Sequence, residues 1–104
     1  MQIRWLRTAL ANMDAEAEFI ARDNPPAAAR VVREISQAVE FLRQHPAMGR
    51  PGRVLGTREL VVSNTPYIIP YRVRGKEVQV LRVFHAARRW PEHFQVHRLE
   101  ANFC

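Results

Sequence analysis

A proline- and glycine-rich stretch divides this sequence into two parts that follow different hydrophobic periods. Residues 45–56 contain two prolines and three glycines, a composition typical of a connecting loop. A helix is expected to end at His45, because the residue before a proline is disfavoured in the α conformation. Apolar residues recur every three or four positions before the stretch and follow a strand-like pattern after it. The sequence therefore predicts an α+β fold, with helices first and strands second.

The first part predicts a helical hairpin. Apolar residues recur at helical spacing through residues 9–22 and again through residues 25–44. The two apolar faces consist of Leu10, Met13, Ala17 and Ile20, and of Ala28, Val32, Ile35, Val39 and Leu42. Thr8 is the expected N-cap of the first helix, and Asn24 with Pro25 opens the second. A link this short makes the two helices antiparallel neighbours.

The second part predicts strands. Residues 58–62, 67–74 and 78–84 are rich in β-branched and aromatic side chains and are separated by turn residues, and residues 2–5 form a further short strand. Pro70 cannot donate a ladder hydrogen bond, so its strand requires a bulge or an N–H directed off the sheet. The last strand is the most continuously apolar and is expected to be central. The predicted order is β-α-α-β-β-β, with the N-terminal strand at an edge and the helical hairpin packed on a small twisted antiparallel sheet.

Length and composition exclude several classes of protein. A chain of 104 residues is enough for one modest core, so a single domain over residues 1–104 is expected, without a deep cofactor cavity and without a cofactor. Cys104 is the only cysteine, which excludes an internal disulfide or a cysteine zinc cluster. His93 and His97 have helical spacing but no third ligand, so no metal site is expected. The apolar runs are too short for a membrane helix, and a cytoplasmic location is expected.

The net charge of +6 is located entirely in the second part. Residues 1–45 carry six arginines and six acidic residues, whereas residues 46–104 carry ten basic residues and four acidic ones. Nearly all of these basic residues are arginine, which suits bidentate contacts with carboxylates or phosphates. The partner indicated is an acidic protein or a nucleic acid, and the alternative is a solvated basic surface.

One segment combines a titratable histidine with several guanidinium groups. His85 follows the last predicted strand, with Arg82 and Arg88 close to it in the chain and Arg72 on the preceding strand. Cleavage of RNA without a metal needs an acid, a base and cations at the phosphate, and these residue types supply them. The structural alternative is a histidine hydrogen-bonded to backbone and arginines paired with carboxylates.

The sequence resembles the toxin subunits of the RelE/ParE superfamily of type II toxin–antitoxin systems over nearly its whole length. The resemblance rests on the order and spacing of several segments: Trp5, residues 24–28 (NPPAA), 45–52 (HPAMGRPG), 56–62 (GTRELVV), 66–73 (PYIIPYRV) and 80–91 (VLRVFHAARRWP). It implies a helical hairpin on a small twisted antiparallel sheet. It also implies an acidic antitoxin partner that wraps and neutralises the toxin.

The superfamily divides by target. RelE-like members cut mRNA on the ribosome, whereas ParE-like members inhibit DNA gyrase and do not cleave nucleic acid. RelE-type ribonucleases carry two lysines and an arginine at positions that match Glu59, Val61 and Ile68 here. An acid and two aliphatic residues cannot neutralise a phosphate, so the ParE branch, which is not enzymatic, is favoured. His85 keeps open the alternative of a metal-independent endoribonuclease.

Two further expectations concern binding. The antitoxin segment is expected to cross the sheet and hairpin and to contact apolar and cationic groups, namely Leu42, Arg72, Arg82, Val83 and Arg88. The third alternative is a non-toxic basic nucleic-acid-binding module, whose bases would stack on surface aromatics. Tyr67 and Tyr71 are the candidates for stacking, although both equally suit the core of a small sheet.

Overall fold

The computed structural model describes residues 1–87. Its first three elements are the strand β1 (Gln2–Trp5) and the helices α1 (Arg7–Ala21) and α2 (Pro25–Phe41). The predicted start of α2 is confirmed: the Asn24 Oδ1 atom accepts a hydrogen bond from the Ala27 N–H at 3.1 Å, and Pro25 occupies the first helical position. The hairpin of two packed helices is also confirmed.

The predicted start of α1 is wrong. Its N-cap is Leu6, without a side-chain cap, and Thr8 lies inside the first turn, where its hydroxyl donates to the Leu81 carbonyl at 3.3 Å. The Leu6 side chain is fully buried, and the Leu6 N–H donates to the Val80 carbonyl. Strand pairing and burial of Leu6 therefore set the start of this helix, in place of a local cap.

Five strands follow the helices, and they are β2 (Arg50–Pro51), β3 (Arg58–Val61), β4 (Tyr67–Arg74), β5 (Glu77–Val80) and β6 (Phe84–His85). The strand order is β1-β5-β4-β3-β2, and β6 pairs with β4. The strands predicted at residues 58–62 and 67–74 match β3 and β4, whereas the one predicted at residues 78–84 is divided into β5 and β6. The strand predicted to be central is interior, because β5 lies between β1 and β4, but the middle strand of the order is β4.

The sheet is mixed, which corrects the expected antiparallel sheet. The strand β1 runs parallel to β5, with Ile3 opposite Val78 and Trp5 opposite Val80, while all other pairs are antiparallel. A parallel pair needs a long connection between its strands. Here the helical hairpin, β3 and β4 together provide it.

A bulge divides the last predicted strand, opposite Pro70. Tyr71 pairs with Val80 and Ile68 pairs with Phe84, so the strand carrying β5 and β6 has one more residue than β4 over this interval. The Pro70 carbonyl accepts the Leu81 N–H at 2.9 Å and so faces the strand that carries β5 and β6. The hydrogen bond that Pro70 cannot donate would be directed to this same strand. The bulge predicted from Pro70 is therefore present, in the strand that faces it.

The helical hairpin packs on one face of the sheet and encloses the core. The core side chains of the helices are Leu6, Ala9, Val31, Ile35, Val39 and Leu42, and those of the sheet are Leu60, Val62, Tyr67, Ile69, Tyr71, Val78, Val80 and Val83. Val31 is more deeply buried than Val32, which shifts the predicted apolar face of α2 by one residue. Neither helix is both long enough and apolar enough to span a bilayer within residues 1–87.

Candidate protein-interaction site

The structure separates the predicted contact residues into buried and accessible groups. Leu42 and Val83 are core residues with 0% and 3% exposure, so their side chains are not available to a partner in this conformation. Arg72 is also buried, whereas Arg82 and His85 are partly exposed. Arg88, His93 and His97 lie outside the described residues.

Arg82 is held at the bulge by α1. Its Nε–H donates to Asn12 Oδ1 at 2.8 Å, and the same oxygen accepts the Val83 N–H at 3.2 Å. The guanidinium carbon lies 4.7 Å from the centroid of the Phe84 ring, in a cation–π contact. Partial burial lowers the pKa of Arg82 from its usual value, but an arginine remains charged at neutral pH. The result is a preoriented cation beside the helical hairpin.

Arg72 belongs to a polar chain on the sheet face opposite the helices. Its Nε–H donates to Gln79 Oε1 at 2.5 Å, and Gln79 Nε2 donates to Glu77 Oε1 at 3.0 Å. Arg4 completes the chain through an ion pair with Glu77. The hydrogen bond from Gln79, and then that from Arg4, lower the pKa of Glu77. Arg72 therefore has intramolecular partners and a structural role in this sheet.

His85 lies beside Tyr67 on the helix-covered face. The two rings meet edge to face, with centroids 5.5 Å apart, and His85 Nδ1 accepts the Ala87 N–H at 3.2 Å. The Tyr67 hydroxyl donates to Glu16 Oε1 at 2.8 Å. Side chains alternate between the two faces of a strand, so Tyr67 and Arg72 point to opposite faces of β4. The structure therefore brings His85 to Tyr67 and Glu16 and does not bring it to Arg72.

A buried carboxylate organises the loop between α2 and β3. Glu59 is 4% exposed and accepts hydrogen bonds from the Arg50 guanidinium, at 3.2 and 3.3 Å, and from the Arg53 N–H, at 2.9 Å. The Arg53 Nε atom lies 3.6 Å from the same carboxylate. Both arginine side chains remain about half exposed. The loop therefore presents two half-exposed arginine side chains. The role of Glu59 has only a weak sequence signal, namely an acid within a β-rich run.

Tyr71 is hydrogen-bonded to the beginning of the same loop. Its hydroxyl donates to the Pro46 carbonyl at 2.7 Å and accepts the Gly49 N–H at 2.8 Å. The Tyr71 side chain is fully buried, and this burial raises its pKa, against smaller effects of the Gly49 N–H and the Arg58 charge. Tyr67 and Tyr71 are both core residues, which agrees with their predicted role in the core and not with the alternative role in base stacking.

An open groove lies between α2 and β3. Its volume is about 340 Å³, and its lining includes Phe41, Met48 and Val61, which are 50%, 57% and 54% exposed. The strand β2 pairs only with Arg58 and Glu59. Within residues 1–87, the outer edge of β3 is therefore unpaired at Val61. An apolar groove beside an open strand edge is a surface that an extended or helical segment can cover. Sequence reasoning selected Leu42, which is buried, and missed its exposed neighbour Phe41.

Residues 3–90 match the family model described as the ParE toxin of the type II toxin–antitoxin system parDE. The chain belongs to the ParE toxin family. It is 50% identical over 91 residues to the putative toxin Y4kP of Sinorhizobium fredii (strain NBRC 101917 / NGR234), covering 88% of this chain and 94% of that protein. It is 37% identical over 87 residues to Toxin RelE2 of Caulobacter vibrioides, covering 84% of this chain and 97% of the relative.

A solved structure of a chromosomal ParDE toxin–antitoxin system from P. aeruginosa has the same fold. The TM-score is 0.76 at 35% sequence identity, and the match covers 82% of this chain and 95% of that chain. The predicted superfamily and α+β fold are confirmed. This ParE family member is thus a toxin of a type II toxin–antitoxin system and has an antitoxin partner. The comparisons do not support a non-toxic nucleic-acid-binding module.

Proposed function

We propose that this ParE family toxin arrests growth by inhibiting DNA gyrase and that an acidic antitoxin neutralises it. The match of the ParE family model to residues 3–90 supports the gyrase target. A protein that acts on gyrase works in the cytoplasm, so this location is part of the proposal.

The observation that carries the proposal is the position of Glu59. The resemblance would place a phosphate-binding lysine there in a RelE-type ribonuclease. Here Glu59 is a buried carboxylate that binds Arg50 and Arg53. Val61 and Ile68, at the other two matching positions, carry no charge. A scissile phosphate at this place would have to compete with the Glu59 carboxylate for Arg50 and Arg53 and would meet two aliphatic side chains, which disfavours its binding.

The test compares the two targets side by side. Supercoiling of relaxed plasmid by purified gyrase is measured with increasing toxin, and cleavage of ribosome-bound mRNA is measured over the same concentration range. The proposal expects inhibition of supercoiling without mRNA cleavage. The reverse result would contradict it. The toxin pre-mixed with its antitoxin is the control, and it is expected to leave gyrase active.

For the antitoxin, we propose a docking surface that joins the groove between α2 and β3 to the cation at Arg82. An apolar antitoxin segment would cover Phe41, Met48 and Val61, which are half exposed. Its carboxylates would pair with Arg82, which Asn12 holds in place. Arg72, Leu42, Val83 and Arg88 complete the set predicted from the sequence. Leu42 and Val83 would act from beneath this surface, because they shape the core that supports it.

Co-purification with the antitoxin tests this docking surface. Phe41→Asp is expected to weaken retention on the tagged antitoxin by at least about tenfold, because a charge would replace the aromatic ring that the antitoxin is proposed to cover. Reversal of charge at Arg82 together with Arg88 is expected to weaken it as well. Phe19→Asp, at a residue of α1 that is 57% exposed and does not line the groove, is the matched control. Equal retention of all variants would contradict the proposed surface.

A second candidate function is ribosome-dependent cleavage of mRNA, which the similarity to Toxin RelE2 favours. The structure places His85 against Tyr67, whose hydroxyl is bound to Glu16, and a histidine, a tyrosine and a carboxylate are suitable for acid–base chemistry. His85→Ala distinguishes the two functions. Loss of growth arrest with retained antitoxin binding would favour the ribonuclease, whereas unchanged arrest would favour the gyrase inhibitor.

A further inference from the structure

A leucine stands almost completely in solvent at the tip of the loop between β2 and β3. Leu55 is 98% exposed, whereas the other exposed large hydrophobic residues within residues 1–87 are between 40% and 57% exposed. Single exposed apolar side chains are common on protein surfaces. Leu55 differs from such residues because hydrogen bonds hold the backbone of its turn in one conformation.

Leu55 is the first central residue of a tight turn. The Thr57 N–H donates to the Val54 carbonyl at 3.1 Å, and the Thr57 hydroxyl donates to the same carbonyl at 2.6 Å. Gly56 has φ of 83°, the conformation that the second central position of a type II turn requires. The Gly52 N–H closes the base of the turn on the Thr57 carbonyl at 2.8 Å. These bonds hold Leu55 at the corner of a preformed turn, so little conformational entropy is lost when it enters a partner.

Cationic side chains accompany this leucine. Arg53 precedes it by two residues, and Arg50 lies on β2 at the base of the loop. Each is about half exposed, although both bind the buried Glu59. The exposed parts of both side chains place cationic groups in the same loop as Leu55, where a partner can contact them. An apolar tip with a cationic base fits a pocket that is apolar inside and acidic at its rim.

We propose that the turn at residues 54–57 docks Leu55 into such a pocket on the protein target of the toxin. This inference rests on the proposed function only in requiring a protein target. Binding to phosphates alone would use the arginines and leave the leucine in water, so a protein partner fits better than a nucleic acid. The proposed antitoxin surface lies elsewhere: Leu55 does not line the groove at α2, and Arg82 follows β5, which β4 separates from β3.

Leu55→Ser tests the proposal, with Phe19→Ser as the matched control on α1. The toxin level that half-arrests growth is measured by quantifying each variant in induced cells. Antitoxin co-purification and thermal unfolding are measured on purified complexes. Leu55→Ser is expected to raise that level about tenfold, the effect of removing one well-packed leucine from an interface, while antitoxin retention and unfolding temperature stay unchanged. Phe19→Ser is expected to match the unsubstituted toxin in all three measurements.

Three results would overturn the proposal. The first is growth arrest by Leu55→Ser at the same level as the unsubstituted toxin. The second is unchanged arrest with lost antitoxin retention, which would assign the loop to the antitoxin. The third is an equal loss of arrest in Phe19→Ser, which would indicate a general effect of removing surface apolar groups. The gyrase assay reports separately on the target: arrest without inhibition of supercoiling would contradict the gyrase proposal and leave the role of Leu55 intact.

Discussion

The two edges of the sheet use the same residue types in different surroundings. At the β2–β3 edge, Glu59 is 4% exposed and holds Arg50 and Arg53. At the β1–β5 edge, the Glu77 side chain is 26% exposed and pairs with Arg4. A buried carboxylate loses its water and must be satisfied by protein donors, whereas an exposed one is also served by solvent. Glu59 and its two arginines therefore organise a loop, whereas the pair of Glu77 and Arg4 adds little to stability.

This difference extends to function. The loop organised by Glu59 carries Leu55 and the half-exposed arginines, and the open groove lies next along β3. The chain that runs from Arg4 through Glu77 and Gln79 to Arg72 is satisfied within the sheet. The proposed contacts with partners accordingly fall at the β3 edge and at Arg82. The β1–β5 edge has a structural role.

The largest expected effect is that of Gly49→Ala at the β2–β3 edge. A methyl group on Gly49 would lie 2.6 Å from Tyr71 Cε1 and 3.0 Å from the Glu59 carbonyl oxygen. Tyr71 is fully buried and cannot move away, so we expect destabilisation by about 3 kcal/mol in urea unfolding. Gly75→Ala is the control: its φ is +59° with nothing within 4 Å, and only backbone strain of about 1 kcal/mol is expected. Equal effects would show that the contact with Tyr71 is not tight.

Glu59→Gln should destabilise the protein by about 2 kcal/mol, because Arg50 and Arg53 lose their carboxylate while the amide still accepts one hydrogen bond. The loss is moderate because both arginine side chains keep part of their solvent exposure. Urea unfolding at neutral pH measures the change. Glu77→Gln at the opposite edge serves as the matched variant. A larger effect of Glu77→Gln would reverse the proposed contrast between the edges.

Tyr71→Phe is expected to cost about 1.5 kcal/mol, since the Gly49 N–H and the Pro46 carbonyl lose their partner. Burial raises the pKa of Tyr71 above its usual value of 10.0. The unfolded state therefore ionises first, and this contribution to stability is lost as the pH rises above about 10. Between about pH 9 and about pH 11, Tyr71→Phe should lose less stability than the unsubstituted protein. An identical alkaline dependence of the two proteins would contradict the assignment.

The smallest expected effect is that of Glu77→Gln. At neutral pH we expect no resolvable change in the unfolding midpoint, because the pair with Arg4 is exposed. The pKa of Glu77 is lowered by Gln79 and by Arg4, so its contribution is present above the ordinary glutamate pKa and lost as the pH falls through the lowered one. Acid unfolding followed by circular dichroism should be slightly less steep in Glu77→Gln. A large loss of stability at neutral pH would contradict the contrast with Glu59.

Much of the fold follows from local sequence patterns. The cap at Asn24, the helical hairpin and the strands β3 and β4 were predictable, because periodicity and turn residues act over a few positions. The start of α1 was not, since it depends on the burial of Leu6 and its bond to Val80, far away in the chain. The division between β5 and β6 had a local signal in Pro70, but that signal lies in the neighbouring strand.

The site was less predictable than the fold. Arg82 and His85 were selected from the sequence, and the structure adds their partners Asn12 and Tyr67. Residue type alone could not distinguish an accessible residue such as Phe41 from its buried neighbour Leu42. Exposure depends on how α2 is rotated against the sheet, and the periodic pattern defines that rotation only to within about one residue.

The sequence by itself determined the family, the order of helices and strands, and the concentration of positive charge in the second part. These properties depend on short-range patterns and on composition, which are already present in the unfolded chain. Only the tertiary structure decided that β1 runs parallel to β5, that Glu59 binds Arg50 and Arg53, and that Leu55 stands in solvent. Each acidic residue has several arginines near it in the sequence. The way the chain folds to bury its core decides which of these arginines it contacts.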